Sequence, residues 1–200
     1  MERILFLLLV LPILSLAQPV ETGEVKEPYI EVGDSWTYRG HPDGEYELKI
    51  TFTDDKTVLA VQVHKNGKEV DSTWTRGWNP ISSQSGRLFK PYFNIFQFPL
   101  KVGDKHKIPN LEVSRKDLKI TENWYNFSST VIGWESVDVP AGRFLTLKIE
   151  VIGTIQSSQG SRPAEVILWY SPRVKRYVKL YTGGPKIGWT EELTSYKLVD

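Results

Sequence analysis

Side chains that could carry catalysis or bind a metal are few in this sequence and widely spaced. The three histidines, His41, His64 and His106, have no second ligand at i+2 or i+4. A zinc site needs three or four ligands, so we expect no metal site and no cofactor. The sequence contains no cysteine, which excludes disulfides, thiolate chemistry and acylation on a cysteine.

Nucleophilic and carboxylate chemistry have equally little support. No Gly-x-Ser-x-Gly motif is present, and Ser83 and Ser85 stand in an irregular stretch without a base or an orienting group. Glu191 and Glu192 are adjacent on a predicted strand and therefore point to opposite faces, so they cannot act as a pair. A glycosidase needs two carboxyl groups across a cleft. We expect no catalytic residue; a hydrolase of envelope polymers is the least favoured function.

A basic, tyrosine-rich run near the C-terminus could line an anionic groove. It comprises Tyr170, Arg173, Lys175, Arg176, Tyr177, Lys179 and Tyr181. Strand alternation favours an outer, solvated face, with Tyr177 and Lys179 outward and Val178 and Leu180 inward. Lysine and arginine together number 25 against 24 acidic residues. This balance gives no electrostatic footprint for nucleic acid, and no such partner is expected.

The segment 76–98 is irregular yet rich in aromatic residues, which is unusual for a loop. Long ordered loops are disproportionately functional. We expect this segment to fold across the sheet or to cover a pocket as a lid. The predicted ligand-binding residues, within it and on the flanking strands, are Trp74, Trp78, Phe89, Phe93, Phe96 and Trp124.

Almost all of the remaining pattern is typical of strands. In 46–53 the residues Tyr46, Leu48, Ile50 and Phe52 share one face, and Asn66-Gly67 is a hairpin signal. Strands at short spacing with turns between them, and no helical periodicity, predict an all-β fold. We predict one domain over 29–200, a single curved antiparallel sheet that is open and barrel-like or a sandwich, with little helix.

One local pattern occurs twice. Val32-Gly33-Asp34 and Val102-Gly103-Asp104 stand in matching contexts and predict the same turn used in two places. The repeat is too short to define two repeated domains.

The N-terminal stretch has the layout of a secretory signal peptide. Arg3 precedes an apolar run that ends at Leu16, and small residues precede Gln18. The run is shorter than the ~20 residues that span a bilayer. We predict a signal peptide over 1–17, a flexible lead-in over 18–28, a periplasmic or secreted location, and no transmembrane segment after cleavage.

Four short motifs follow one another along the chain: V-G-D-S-W-T-Y from Val32, V-D-V-P-A-G-R-F from Val137, W-Y-S-P from Trp169 and E-L-T-S-Y-K-L from Glu192. Together they resemble the DUF3108-like family of exported bacterial proteins. The resemblance implies an exported protein with a curved, open antiparallel sheet. It implies no reaction and no catalytic residue.

Two functions are expected on these grounds. The first is a non-enzymatic binding module that holds an apolar or amphiphilic molecule, such as a lipid or a lipoprotein segment, on the curved sheet. The alternative is an envelope or surface module for protein–protein interaction without a pocket, which would use exposed aromatic residues or a free sheet edge.

Overall fold

The structure is a computed structural model that describes residues 23–41, 44–83, 85–115, 117–183 and 188–199. The predicted signal peptide over 1–17 lies outside the described residues. No helix in the described ranges is long and apolar enough to cross a membrane.

Strands make up most of the described chain, joined by turns and a single 3₁₀ turn, Pro172–Val174, among the described residues. The strands are β1 Ser35–His41, β2 Gly44–Thr53, β3 Thr57–His64, β4 Glu69–Thr75, β5 Pro80–Ser82, β6 Arg87–Lys90, β7 Lys105–Lys107, β8 Leu111–Arg115, β9 Ile120–Val139, β10 Gly142–Ser157, β11 Gly160–Ser171, β12 Arg176–Gly183 and β13 Trp189–Lys197.

All the strands belong to one antiparallel sheet, which confirms the predicted all-β fold. The sheet closes on itself, whereas the prediction left it open. The order β10-β11-β12-β13-β1-β2-β3-β4-β5-β6-β8-β9 returns to β10, because β9 pairs with both β8 and β10. β7 pairs with β9 outside this ring. Closure is possible because β9 is long: its first residues pair with β8, and most of its length pairs with β10.

The barrel has two distinguishable ends. Neighbouring strands in the ring run antiparallel, so alternate connections lie at the same end. We call the end that carries the Asn66-Gly67 turn the upper end; it also carries the connections 82–87, 115–120 and 183–189. The lower end carries the Pro140-Ala141-Gly142 turn and the 3₁₀ turn.

Strand alternation holds along most of β2 and fails at one predicted position. Tyr46, Leu48 and Ile50 are buried, as predicted, but Phe52 is 47% exposed. The register between β2 and β3 shifts between Ile50 and Phe52. A bulge of this kind adds a residue and reverses the face on which the next residues lie, so Phe52 points to solvent.

The predicted orientation of Tyr177 is wrong. Arg176, Tyr177 and Val178 are all buried. The 3₁₀ turn and the left-handed Lys175 (φ 59°) bring the chain into β12, and the pairing of β11 with β12 shifts register at Trp169. These irregularities at the start of β12 interrupt the alternation on which the outward prediction rested.

The two Val-Gly-Asp turns have the same hydrogen bonds, as predicted. In each, the backbone N–H three residues before the aspartate donates to its side chain, at 3.1 Å for Asp34 and 3.0 Å for Asp104. In each, the glycine N–H donates to a strand carbonyl, Ile50 or Val131, at 3.0 and 2.9 Å. Their surroundings differ, because Asp34 is buried and Asp104 is exposed.

The described part of the lead-in, 23–28, is anchored to the barrel. Val25 is buried and exchanges two backbone hydrogen bonds with Leu100, of 2.9 and 2.8 Å. A paired, buried residue of this kind differs from the unpatterned, flexible lead-in that the sequence suggested.

Candidate functional site

The barrel encloses a cavity of about 690 Å³. This volume lies within the range of small-molecule sites. All six residues predicted to bind a ligand line it: Trp74, Trp78, Phe89, Phe93, Phe96 and Trp124. The structure thus brings together side chains that are up to fifty positions apart in sequence, while their role in binding remains a prediction.

Part of the segment 76–98 belongs to the barrel wall, because it contributes β5 and β6 to the ring. The rest, 91–98, is irregular and packs inward, where Phe96 and Phe98 contact Tyr170 of β11. The Asn79 side chain folds the rest inward: its amide donates to the Phe96 carbonyl at 2.9 Å and accepts from the Phe96 N–H at 2.7 Å. The Phe93 N–H donates to the Pro80 carbonyl at 3.0 Å. These bonds satisfy buried backbone groups and turn the aromatic rings toward the cavity.

One side of the cavity is lined by Phe89, Phe93 and Trp124, and Phe127 packs behind Phe93 and Trp124. We call these four residues the aromatic wall. The Phe93 ring lies 5.2 Å from Trp124 and 5.4 Å from Phe127, edge to face in both cases. These separations are favourable for aromatic pairs. Gly153 makes room for the wall, because a Cβ there would lie 2.3 Å from the Phe127 ring.

At the lower end a buried arginine forms the floor of the cavity. The Arg176 guanidinium carbon lies 4.0 Å from the Trp78 ring centre and 4.8 Å from those of Trp74 and Tyr177. Its Nε and Nη1 are fully covered and have no hydrogen-bond partner among the described residues. Cation–π contacts with several rings therefore replace part of its hydrogen bonding.

Two tryptophans fix the position of this arginine, because their indoles bind the backbone of the two residues before it. Trp36 Nε1 donates to the Val174 carbonyl at 2.7 Å, and Trp78 Nε1 donates to the Lys175 carbonyl at 2.7 Å. The two rings meet edge to face at 5.4 Å. The turn that leads into Arg176 is thus fixed from inside the barrel.

Beside the arginine, the Glu191 carboxylate accepts hydrogen bonds from two buried phenols. Tyr177 donates at 2.5 Å, and Tyr46 donates to the other oxygen. Burial first, and the Glu191 charge next, raise the pKa of both phenols, so they stay protonated and act as donors. Burial alone would lower the pKa of Arg176, but the neighbouring phenols Tyr177 and Tyr38 raise it.

The upper rim of the cavity is polar and carries two cations. Asn66, Lys68 and Ser85 are exposed, and Arg87 is half-buried. Arg87 Nη1 donates to Ser85 Oγ at 3.0 Å. Among the described residues, neither Lys68 nor Arg87 has a carboxylate within ion-pair distance.

Charges of both signs surround Arg87. Its pKa is lowered, chiefly by burial; among the neighbouring charges, Glu122 and Asp117 raise it, and Arg115 and Arg162 lower it. The neighbouring arginines have their own partners: Arg115 lies 2.6 Å from Asp117, and Arg162 lies 3.4 Å from Glu122. Arg87 is therefore the rim arginine that a bound anion would reach without displacing an existing pair.

Sequence reasoning missed the polar residues of the cavity: Tyr46, Lys68, Arg87, Arg176 and Glu191. Arg176 and Tyr177 belong to the basic, tyrosine-rich run, which was considered as a binding surface. Strand alternation predicted that this run faces solvent, so the two residues were not assigned to a site. The prediction that Glu191 and Glu192 face opposite ways is confirmed, since Glu191 is buried and Glu192 pairs with Lys179 at 2.8 Å. Nothing in the sequence indicates that Lys68 and Arg87 share a rim.

The histidines do not converge. His64 lies on the cavity lining, with Nε2 3.0 Å from Gln62 Nε2, while His106 donates to the Asn94 carbonyl at 2.9 Å. Across the described ranges, no three His, Asp or Glu side chains are grouped as metal ligands would be.

Comparison with solved structures finds the same fold in bacterial proteins described as a lipoprotein and as an exported protein. A proposed lipoprotein from Parabacteroides distasonis aligns with a TM-score of 0.56 and 16% identity, over 86% of this chain and 99% of its own. A proposed exported protein with a YmcC-like fold from Bacteroides fragilis aligns with a TM-score of 0.56 and 14% identity, over 88% and 100%. No protein-family model and no curated protein matches the sequence. At these identities the likeness establishes the fold.

Proposed function

We propose that the protein is an exported, non-enzymatic binding module that holds an apolar or amphiphilic molecule inside its barrel. The observation that carries this proposal is the cavity of about 690 Å³, lined largely by aromatic and aliphatic side chains. Ligand sites are typically cavities of this size with apolar walls and a few placed polar groups.

The wall of the cavity is suited to an alkyl chain. Several lining side chains offer apolar surface and have no hydrogen-bonding group: Phe89, Phe93, Ile95, Phe96 and Leu168. Burial of each methylene there would contribute about 0.8 kcal/mol. A sugar or a peptide would leave its hydroxyl or amide groups unpaired against the same surface, at a cost in affinity.

Export rests on the signal-peptide layout of 1–17 and on the kind of proteins that share the fold. The motifs of β1, β10, β11 and β13 further support a protein of the DUF3108-like type, which would work in the periplasm or outside the cell. Fractionation of the host should recover the chain outside the cytoplasm, shortened by the leader. Recovery of full-length protein in the cytoplasm would contradict export.

The alternatives have less support from the geometry. In the described chain, ring closure leaves a free edge at the three-residue strand β7, which carries Lys105 and Lys107, and short lysine-bearing edges resist strand addition. A hydrolase of the glycosidase type would need two carboxyl groups in the cleft. Among the described lining residues, Glu191 is the one carboxylate, and its oxygens accept bonds from two phenols.

Native mass spectrometry of the full chain, purified from its own host without organic solvent, tests the proposal. We expect a species heavier than the polypeptide, which reverts to the polypeptide mass after extraction with solvent. A mass equal to that of the polypeptide before extraction, together with no fluorescence response to dodecanoate or dodecyl maltoside, would contradict a binding function.

A tryptophan pair makes the fluorescence readout specific to the cavity. Trp124 lines the cavity, whereas Trp134 is partly buried outside its lining. Trp124→Phe should reduce the change in fluorescence on ligand addition, and Trp134→Phe should leave that change intact. Equal losses in the two variants would place the ligand elsewhere.

A further inference from the structure

The rim and the interior of the cavity differ sharply in charge. Among the described lining residues, the charged side chains are Lys68, Arg87, Arg176 and Glu191. The last two lie inside, close to the same buried tyrosines. The two cations at the rim have no carboxylate within ion-pair distance in the described part of the chain, so both are available to an anionic group.

The inner arginine is not placed to receive a ligand head. The Nε and Nη1 groups of Arg176 are covered by aromatic rings, with Trp78 at 4.0 Å. A ligand could reach these groups only by displacing a tryptophan whose indole is itself hydrogen bonded to the Lys175 carbonyl. The floor therefore acts as a closed end.

The upper rim has the opposite properties. Arg87 is half-buried and Lys68 is exposed, on turns that lie at the same end of the barrel. A partly desolvated guanidinium forms strong, charge-assisted hydrogen bonds with carboxylate or phosphate oxygens. The apolar interior and the basic rim together match a molecule with an alkyl chain and a single anionic head.

We propose that the cavity takes a single-chain anionic amphiphile, with its alkyl chain against the aromatic wall and its carboxylate or phosphate head between Lys68 and Arg87. This proposal rests on the binding function and specifies the ligand class. The head stays at the upper rim and the chain points toward Trp78 and Arg176.

A series of ligands with one alkyl chain and different heads tests it. Dodecanoate, dodecyl phosphate, dodecanol and dodecylamine are titrated into the full chain at low salt, with tryptophan fluorescence as the readout. We expect the two anions to bind about tenfold more tightly than dodecanol, and dodecylamine to bind more weakly than dodecanol. Raised salt should narrow the gap, because the rim is reached by solvent. The relative affinities of the two anions distinguish a carboxylate head from a phosphate head.

Variants at the rim locate the head. Lys68→Met and Arg87→Met should each weaken dodecanoate about threefold and leave dodecanol unchanged. Lys65→Met is the matched control, since Lys65 is exposed in the same turn as Lys68 but does not line the cavity. Arg87→Lys keeps the positive charge and should retain the preference for the anion. It shows whether the loss in Arg87→Met comes from the missing charge or from misfolding.

The outcomes separate the two proposals. Equal binding of all four ligands, or tightest binding of the amine, would overturn the anionic head and leave the binding function standing. An anion preference that survives both Met substitutions would also overturn it. Failure of every ligand to bind would overturn the binding function, and the head assignment with it.

Discussion

The interior and the upper rim of the cavity hold charge in opposite ways. In the interior, Arg176 and Glu191 are buried and their neighbours are protein groups: indole rings, phenols and a carboxylate. At the upper rim, Lys68 is exposed, Arg87 is half-buried, and neither has a carboxylate within ion-pair distance among the described residues. Charges surrounded by protein groups stabilise a fold, while charges without an ion-pair partner are available to a ligand. We therefore assign stability to the interior and recognition to the upper rim.

The strongest test of this contrast compares two arginines. Arg176→Met should lower the free energy of unfolding by about 3–5 kcal/mol, because it removes a buried charge that lies among the phenols bonded to Glu191. Arg87→Met should change it by less than about 0.5 kcal/mol. Urea denaturation of both variants measures the difference. Similar losses in free energy would remove the distinction between the interior and the rim.

Alkaline pH should act on the buried tyrosines of the interior. Burial raises the pKa of Tyr38, Tyr46 and Tyr177, so the folded protein keeps three protons that the unfolded chain loses above pH about 10. Stability is therefore fully present below that pH and should fall by about 4 kcal/mol per pH unit above it. Tyr177→Phe should reduce the slope by about one third. If these three tyrosines show tyrosinate absorbance at alkaline pH while the protein is still folded, their burial is contradicted.

Removal of one phenol hydroxyl should have an intermediate effect. Tyr177→Phe leaves one Glu191 oxygen without its 2.5 Å donor and should cost about 1–3 kcal/mol at neutral pH. Tyr92→Phe, on an exposed ring for which no hydrogen bond is found in the described chain, is the control and should be nearly neutral. Thermal unfolding of the Tyr177→Phe and Tyr92→Phe variants measures the two effects. Equal melting temperatures would argue against a stabilising role for the Tyr177 hydroxyl.

The aromatic wall should tolerate little added volume. Gly153→Ala places a methyl group within 2.3 Å of the Phe127 ring and should cost about 1–3 kcal/mol while it shifts the wall into the cavity. Gly133→Ala is matched to it, because a Cβ there meets nothing within 4 Å in the described chain. Comparison of their unfolding free energies and dodecanoate affinities shows whether the wall is rigid. Unchanged dodecanoate affinity in Gly153→Ala would place the alkyl chain away from the aromatic wall.

The sequence is informative about the fold class and partly informative about the site, for a physical reason. Period-two alternation and turn residues are local, so the all-β fold could be predicted from them. Phe52 and Tyr177 depart from their predicted faces because a bulge and a left-handed residue reverse the alternation, and neither has a clear sequence signature.

The aromatic residues could be singled out because they are anomalous in an irregular segment. That they share one cavity depends on ring closure between β9 and its two neighbours, a pairing of distant segments. The polar residues depend on this closure even more. Lys68 and Arg87 are ordinary turn residues in sequence, and only the order of strands places them on one rim.

The seam of the barrel between β1 and β13 has a consequence for the order of events in folding. Ser35 is paired with Lys197, so the first strand of the ring needs the last one as its neighbour. During synthesis, β1 can pair with β2 early, but its other edge waits until nearly the whole chain has emerged. Unpaired strand edges are prone to aggregate, so this protein has a vulnerable interval in its biogenesis that ends only when β13 arrives.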